Sequence, residues 1–411
     1  MKKNLLKILL VFFIFSIFIY VLAISSIPEK VVIFEGEEIN LKTIIGLDIS
    51  KINTVETSSS NNKKTLNNEQ NNTKEKYSVS LFDNFLLKEI DVDVLPKQTV
   101  IPVGNIAGLK LYTSGVLVVG MSEIKGINNE KSKPYINTEI EEGDTIIKVN
   151  NSEIFSTEDL MEKVNNSNGD EIKLTYVKNK EIKECSIIPV ETEDGKYKLG
   201  LWVRDSAAGV GTVTYYDPIT KSFGALGHGI SDIDTSELLN ISSGEFITSK
   251  VLNIVKGEKG NPGKIQGTID NQKNIGRIYK NTEFGIFGKV DEISNLSLEI
   301  SKEMELALRE EIKQGKATIL CNLDNTQVKE YEIEIEKIYL QNDYDNKSMK
   351  IKITDKELLD LTGGIIQGMS GAPIIQNGKF IGAVTNVLVN NPEEGFAVFG
   401  DRMLKEMKAV K

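Results

Sequence analysis

Apolar and polar positions divide this chain into stretches of different kind. Lys2, Lys3 and Lys7 precede an apolar run from Ile8 to Ile24, interrupted only by Ser16 and Tyr20. That run sits at the short end of what crosses a hydrocarbon layer about 30 Å thick, and Ala23-Ile24-Ser25 would serve as a small-residue cleavage site. Residues 1–27 are expected to be a membrane anchor or signal segment, with the lysines on the cytoplasmic side and the bulk of the protein across the membrane. Residues 28–95 are expected as an extracytoplasmic linker. Within it, 57–76 is a polar tract in which Leu66 is the one large aliphatic residue, too little apolar surface to offset ordering entropy, so it reads as a tether. Short strands follow at Val116–Val119, Thr145–Val149 and Ile172–Val177. One helix opens at Ser156, with Asp159 three residues on as a capping pattern and Leu160, Met161 and Val164 on one face. After Leu199 the pattern is nearly all β. Tyr331, Ile333 and Ile335 alternate with Glu332, Glu334 and Glu336, and Asn377-Gly378 marks a hairpin turn. Glu303–Gln314 is the one stretch there with helical spacing.

Composition narrows the function. The 411 residues carry 49 Lys and Arg against 59 Asp and Glu, a net charge of −10, which argues against nucleic acid as the main partner. With two Cys and one His, the chain cannot assemble a four-Cys or two-Cys-two-His zinc site, and neither a metal nor an organic cofactor is expected. Cys185 and Cys321 do not suggest a disulfide framework. The run Gly257–Gly263 before Lys264 lacks the spacing and hydroxyl residue of a phosphate loop and reads as a surface turn. Chemistry here must rest on hydroxyls, carboxylates and one imidazole.

Gly108-Leu-Lys-Leu, the strand between Gly115 and Gly120, the turn Glu142-Gly143-Asp144 and the capped helix resemble a bacterial PDZ domain in order and spacing, placed at 96–192. The resemblance implies that a peptide, by its C-terminus or an internal segment, adds as a strand after Gly108. Its carboxylate would rest on backbone amides of Ala107, Gly108, Leu109, Lys110 and Leu111.

The sharpest local signal is Gly368-Met-Ser370-Gly-Ala-Pro373. A serine between glycines resembles the nucleophile turn of chymotrypsin-like peptidases, in which backbone amides, here Gly368 and Ser370, face the oxyanion. The base for such a serine is the single imidazole, His228, itself flanked by Gly227 and Gly229. For the group that orients it, Asp355, Asp360, Asp232 and Asp234 are all in reach of sequence reasoning, and spacing does not choose among them. Met369 precedes the serine where digestive enzymes carry an Asp, so activation by a new N-terminus is unavailable. A Ser–Lys peptidase using Lys379 or Lys352, and a PDZ adaptor with a non-catalytic β scaffold, are the alternatives.

Gly209-Val-Gly-Thr-Val-Thr214, Phe223-Gly-Ala-Leu-Gly-His228, Thr362-Gly-Gly-Ile-Ile-Gln-Gly-Met-Ser370 and Gly382-Ala-Val-Thr385 together resemble the stage IV sporulation protein B peptidase family. The resemblance implies a mainly β protein: an N-terminal membrane anchor, an α+β PDZ domain and, over 193–411, a chymotrypsin-like double β-barrel serine peptidase. It implies His228, Asp355 and Ser370 as the catalytic set. It also implies a sporulation signalling role at the forespore membrane, with self-cleavage and cleavage of a membrane-bound regulator of an intramembrane metalloprotease, activating a late sigma factor.

Overall fold

The structure, a computed structural model, describes residues 97–296, 302–340 and 345–408. N-terminal to these it describes the strands at 29–34, 47–52, 73–81 and 85–95 and isolated positions from 15 to 39. The expected anchor, 1–27, lies almost wholly outside the described residues. Among those described, no helix is long and apolar enough to cross a membrane. Of the expected tether, 57–72 lies outside the described residues and 73–76 belongs to a strand.

The chain divides into two compact units. The first contains a four-stranded sheet in the order Lys30–Phe34, Phe85–Leu95, Thr73–Leu81, Leu47–Lys51. Val31, Ile33, Val79, Ile90 and Val92 form its small core. The expectation of a linker over 28–95 is therefore corrected. Alternating Val31/Ile33 and Ile90/Val92/Val94 give these strands one apolar face, enough to pack once they pair.

The second unit holds two β-barrels and the PDZ fold. The first barrel is a ring of six strands: Ile106–Met121, Ile241–Val255, Lys264–Thr282, Gly285–Val290, Ser222–Ala225 and Leu201–Asp217, the last pairing back to the first. Its core contains Leu109, Leu111, Val213, Phe223 and Phe246, with the two phenylalanine rings stacked 4.6 Å apart. The second barrel closes in the order Gly315–Cys321, Lys329–Ile338, Met349–Ile353, Asn391–Phe399, Lys379–Leu388, Pro373–Gln376. Tyr331, Ile333 and Ile335 point into it and Glu332 and Glu334 out, as the alternation requires. The Pro373–Gln376 and Lys379–Leu388 strands turn through Asn377 and Gly378 at φ 52° and 76°, the left-handed pair a tight hairpin needs.

The PDZ fold is inserted into the first barrel rather than standing before it. Ile106–Met121 is one strand with two functions: residues 106–113 pair within the barrel, and 116–117 pair with Thr145–Val149 of the PDZ sheet. The chain then runs through the helix Thr157–Asn165, whose Asp159 amide donates to the Ser156 hydroxyl, and re-enters the barrel along Leu201–Asp217. The PDZ start expected at 96 is thus displaced, since Thr99–Pro102 and 106–113 already pair with a strand of the peptidase barrel. The helix expected over Glu303–Gln314 is absent as well. A two-residue strand at Met304–Glu305, paired with Thr99–Val100, and a 3-10 turn at Arg309–Glu311 take its place.

Candidate active site and peptide groove

Ser370 sits on the loop that enters the Pro373–Gln376 strand, and the peptide units around it are almost fully anchored. In a trans peptide the C=O and the following N–H point opposite ways, so fixing one fixes the other. The Gln367 carbonyl accepts from Ile265 N (2.8 Å), which turns the Gly368 N–H away from it. The Gly368 carbonyl accepts from the Thr212 hydroxyl (2.7 Å), and Met369 N donates to Ile366 O. The Met369 carbonyl accepts from Ala372 N (2.9 Å), which aims the Ser370 N–H the other way. Ser370 O accepts from Thr212 N (3.0 Å) while Gly371 N donates to Val384 O (2.8 Å). Two amides of this loop, Gly368 and Ser370, donate to no acceptor among the described residues. They are the two that the sequence assigns to an oxyanion. Gly368 (φ 103°) and Gly371 (φ 95°) take backbone conformations closed to side-chain-bearing residues, and a Cβ on Gly371 would lie 2.2 Å from Thr212 O and 2.5 Å from Leu226 N.

That last contact brings in the base, because Leu226 begins the turn that carries His228. Leu226 holds φ 68°, a left-handed conformation costing on the order of 1 kcal/mol for such a residue, and its N–H donates to Thr212 O. Gly227 packs on Val384 and Thr385, the residues beside the Ser370 loop. His228 is part-buried, and its Nδ1 is 2.7 Å from the Gly229 carbonyl. A carbonyl only accepts, so Nδ1 carries the proton and Nε2 keeps the free lone pair of a general base. Burial pushes the imidazole below its ordinary value of 6.5, against a smaller opposing effect of the Gly229 bond. The Ser370 hydroxyl donates to the Thr385 carbonyl (2.7 Å), a resting position from which it must turn to reach a base.

The expected third member is not brought to this centre. Asp355 is the N-cap of the helix Lys356–Thr362: one carboxylate oxygen accepts from Leu358 N (2.9 Å), the other from Glu332 N (3.3 Å). No carboxylate is among the influences on His228. Asp232 and Asp234 lie in the loop after His228, but both are engaged by Arg204, Asp234 at 2.9 Å. Asp360 offers its backbone carbonyl to Lys256. The alternative bases fare no better: Lys352 faces Glu393 (3.8 Å) and Lys379 faces Glu305 (3.9 Å). Three or more metal-ligating side chains do not cluster anywhere among the described residues.

The expected peptide loop is also relocated. Ala107–Leu111 is not a loop but the barrel half of the Ile106–Met121 strand, hydrogen-bonded on both edges, with Ala107, Leu109 and Leu111 fully buried. Gly108 is there for close approach, since a Cβ would lie 2.7 Å from the Ile269 side chain. The groove lies instead between the Thr157–Asn165 helix and the start of Leu201–Asp217. It measures about 480 Å³ and is lined by Leu160, Met161, Val164, Leu199, Leu201 and Trp202. At its head Gly200 (φ 76°) makes the turn, and the amides of Leu199 and Gly200 donate to no acceptor among the described residues. Leu199-Gly-Leu201 is as good a sequence signal as Gly108-Leu-Lys-Leu; only the left-handed φ separates them.

Two family models match the chain. The family model for the SpoIVB peptidase S55 matches residues 195–404, and that for a PDZ domain matches 110–188. No curated protein matches the chain. Among solved structures, the PDZ domain of the SdrC-like protein from Listeria monocytogenes is similar at 16% identity over 22% of this chain and 87% of its own, with a TM-score of 0.18. The active form of the Rv3671c protease from M. tuberculosis is similar at 14% identity over 50% of this chain and 76% of its own, with a TM-score of 0.28. The HtrA-type protease AlgW with a decapeptide is similar at 11% identity over 75% of this chain and 64% of its own, with a TM-score of 0.30. With half of its length under the peptidase model, the chain belongs to the SpoIVB peptidase S55 family, as a serine endopeptidase that carries a PDZ domain.

Proposed function

We propose that Ser370 is the nucleophile, His228 the base, and the Gly368 and Ser370 amides the oxyanion donors. The observation that carries this reading is the pair of unbonded amides in a loop whose other peptide groups are tied down. Donors held in place before the reaction lose no energy to reorganisation as charge develops. Ser370 Oγ leaves the Thr385 carbonyl, passes its proton to His228 Nε2 and attacks the substrate carbonyl. His228 returns that proton to the leaving amine, and water repeats the sequence to release the acyl group. The Gly229 carbonyl takes over the tautomer-fixing part of the role expected of Asp355.

The groove beside Leu199–Trp202 is proposed to take an extended peptide as an added strand and to control the peptidase. The strand that edges the groove supports this. Asp205, two residues past Val203, accepts from the amide of Thr157 at the groove helix (2.8 Å). Arg204 grips the loop after His228, and Thr212, further along, holds the Ser370 loop.

Family membership and the lysine-flanked apolar run support the wider reading. The protein acts outside the cytoplasm, anchored or released, in sporulation signalling at the forespore membrane. It cleaves itself and a membrane-bound regulator of an intramembrane metalloprotease, and so activates a late sigma factor. The test is to incubate the full chain in detergent, with Ser370→Ala and His228→Ala versions, with itself and with an unfolded protein, and to map new termini by mass spectrometry. Cleavage lost in both variants is expected. Cleavage surviving His228→Ala overturns the base assignment, and cleavage surviving Ser370→Ala overturns the nucleophile.

A further inference from the structure

The shape of the site limits the substrates it can take. A peptide whose carbonyl oxygen rests on the Gly368 and Ser370 amides needs an acceptor close to Ser370 Oγ for the N–H of the residue being cleaved. The Thr385 carbonyl, 2.7 Å from that hydroxyl, is the acceptor the geometry offers. The side chain of the residue before the scissile bond is then directed between two rails: the strip Gly364–Gly368, which leads into the Ser370 loop, and the chain segment from Asn386 round to Gly395.

Between those rails the space is already occupied. Ile365 N donates to Pro392 O (2.7 Å), so the strip is bonded directly to the Asn391–Phe399 strand. A Cβ on Gly364 would lie 2.2 Å from Pro392 O. A Cβ on Gly395 would lie 2.5 Å from Asn386 O and 2.6 Å from Ile365 Cδ1, which places the tip of the Ile365 side chain against the floor of the gap. Ile365 is 1% exposed, so it fills the gap rather than hanging over it. A side chain on Gly395 would collide with that methyl group.

Resting on the Ser370 peptidase reading, we propose that Ile365 plugs the specificity pocket and confines cleavage to bonds that follow Gly, Ala or Ser. Volume is the discriminating quantity. A hydrophobic pocket rejects one extra methylene by about 10- to 200-fold, and Leu and Phe side chains are larger than Ala by several carbons.

The experiment compares the full chain in detergent with Ile365→Val, which removes the terminal methyl, and Ile365→Ala, which empties the gap. Each is assayed on synthetic peptides that differ only in Gly, Ala, Ser, Leu or Phe before the bond, with Ser370→Ala as control. For the parent, kcat/KM is expected to be at least about 100-fold higher with Ala than with Leu or Phe. That ratio is expected to fall about 10-fold or more in Ile365→Ala and by less in Ile365→Val. Efficient cleavage by the parent after Leu or Phe, absent from Ser370→Ala, overturns the pocket assignment and leaves the peptidase reading standing. Ratios unchanged in both Ile365 variants also overturn it. Peptide cleavage that persists in Ser370→Ala strikes instead at the peptidase reading.

Discussion

The loop that bears Ser370 and the loop that bears His228 lie side by side and are built to different standards. Around Ser370, carbonyls from 367 to 370 all have donors, and the two amides left over are the two proposed to hold the oxyanion. Around His228 the ring has one orienting partner among the described residues, the neighbouring Gly229 carbonyl, and the loop that follows is held from outside by Arg204 and by Asn281, which bonds both the amide and the carbonyl of Ile230. The oxyanion half of the site is finished, while the acid–base half is left open to adjustment. One of its external ties, Arg204, comes from the strand that edges the groove. A peptidase with a pre-built oxyanion loop and a base adjustable from its PDZ insertion has a physical route to being switched on by a ligand.

The largest effect that would break this contrast is loss of either reacting side chain. Ser370→Ala and His228→Ala are each expected to lower kcat by about 10⁴-fold or more, and the double variant no further, because the two act as one unit. An additive loss in peptide-cleavage kinetics would mean that they act independently.

The finished half is tested through Thr212, which touches neither substrate nor base yet donates to the carbonyls of both Gly368 and Ser370. Thr212→Val removes the hydroxyl bond to Gly368 and frees that peptide to turn. The expected result is a fall in kcat of about 10- to 100-fold with KM little changed. A change in KM alone would show that the loop does not need this bond for transition-state binding.

The adjustable half has two smaller signatures. The base must be neutral, and burial depresses its pKa below 6.5. Activity should therefore persist as pH falls through 6.5 and disappear only as pH falls through the lower, folded-state value. An acid limb in kcat/KM above pH 6.5 would contradict the buried, uncharged setting. Arg204→Ala removes one of the ties on the loop after His228 and is expected to reduce kcat about 5- to 10-fold. Asp232→Asn, which removes one of the two Arg204 ion pairs, should cost no more than Arg204→Ala, and the double variant no more than Arg204→Ala alone.

The sequence made the first loop more legible than the second, for reasons of range. Glycines at 368 and 371 report a local backbone need, and so do Asn377-Gly378 and the Ser156 cap; each is a short-range signal that packing did not override. The alternation at 331–335 is likewise local. What failed was long-range. Nothing in Ala107–Leu111 says that it pairs with residues 207–211 and 244–248, which turns an expected loop into a buried strand. The same pairings hide the insertion of the PDZ fold between two barrel strands. Ile365 carries no local signal beyond being apolar, because the contact that gives it a place is with Gly395, thirty positions away.

Asp355 offers the smallest effect and the sharpest separation of the two readings of the acid–base half. Asp followed by Lys-Glu-Leu-Leu has the local pattern of a helix N-cap, and the structure uses it as one, with Leu358 N donating to the carboxylate. Family resemblance instead assigns it to the imidazole. Asn caps a helix about as well as Asp but cannot stabilise an imidazolium. Asp355→Asn is therefore expected to leave both melting temperature and peptidase rate close to those of the parent, and Asp355→Ala to cost about 1 kcal/mol of stability with kcat at 25 °C changed less than about 3-fold. A loss of about 10⁴-fold in Asp355→Asn with an unchanged melting curve would mean that the helix cap opens and the carboxylate travels to His228 in the working enzyme. The acid–base half would then be assembled only during catalysis, and the contrast with the Ser370 loop would be wider still.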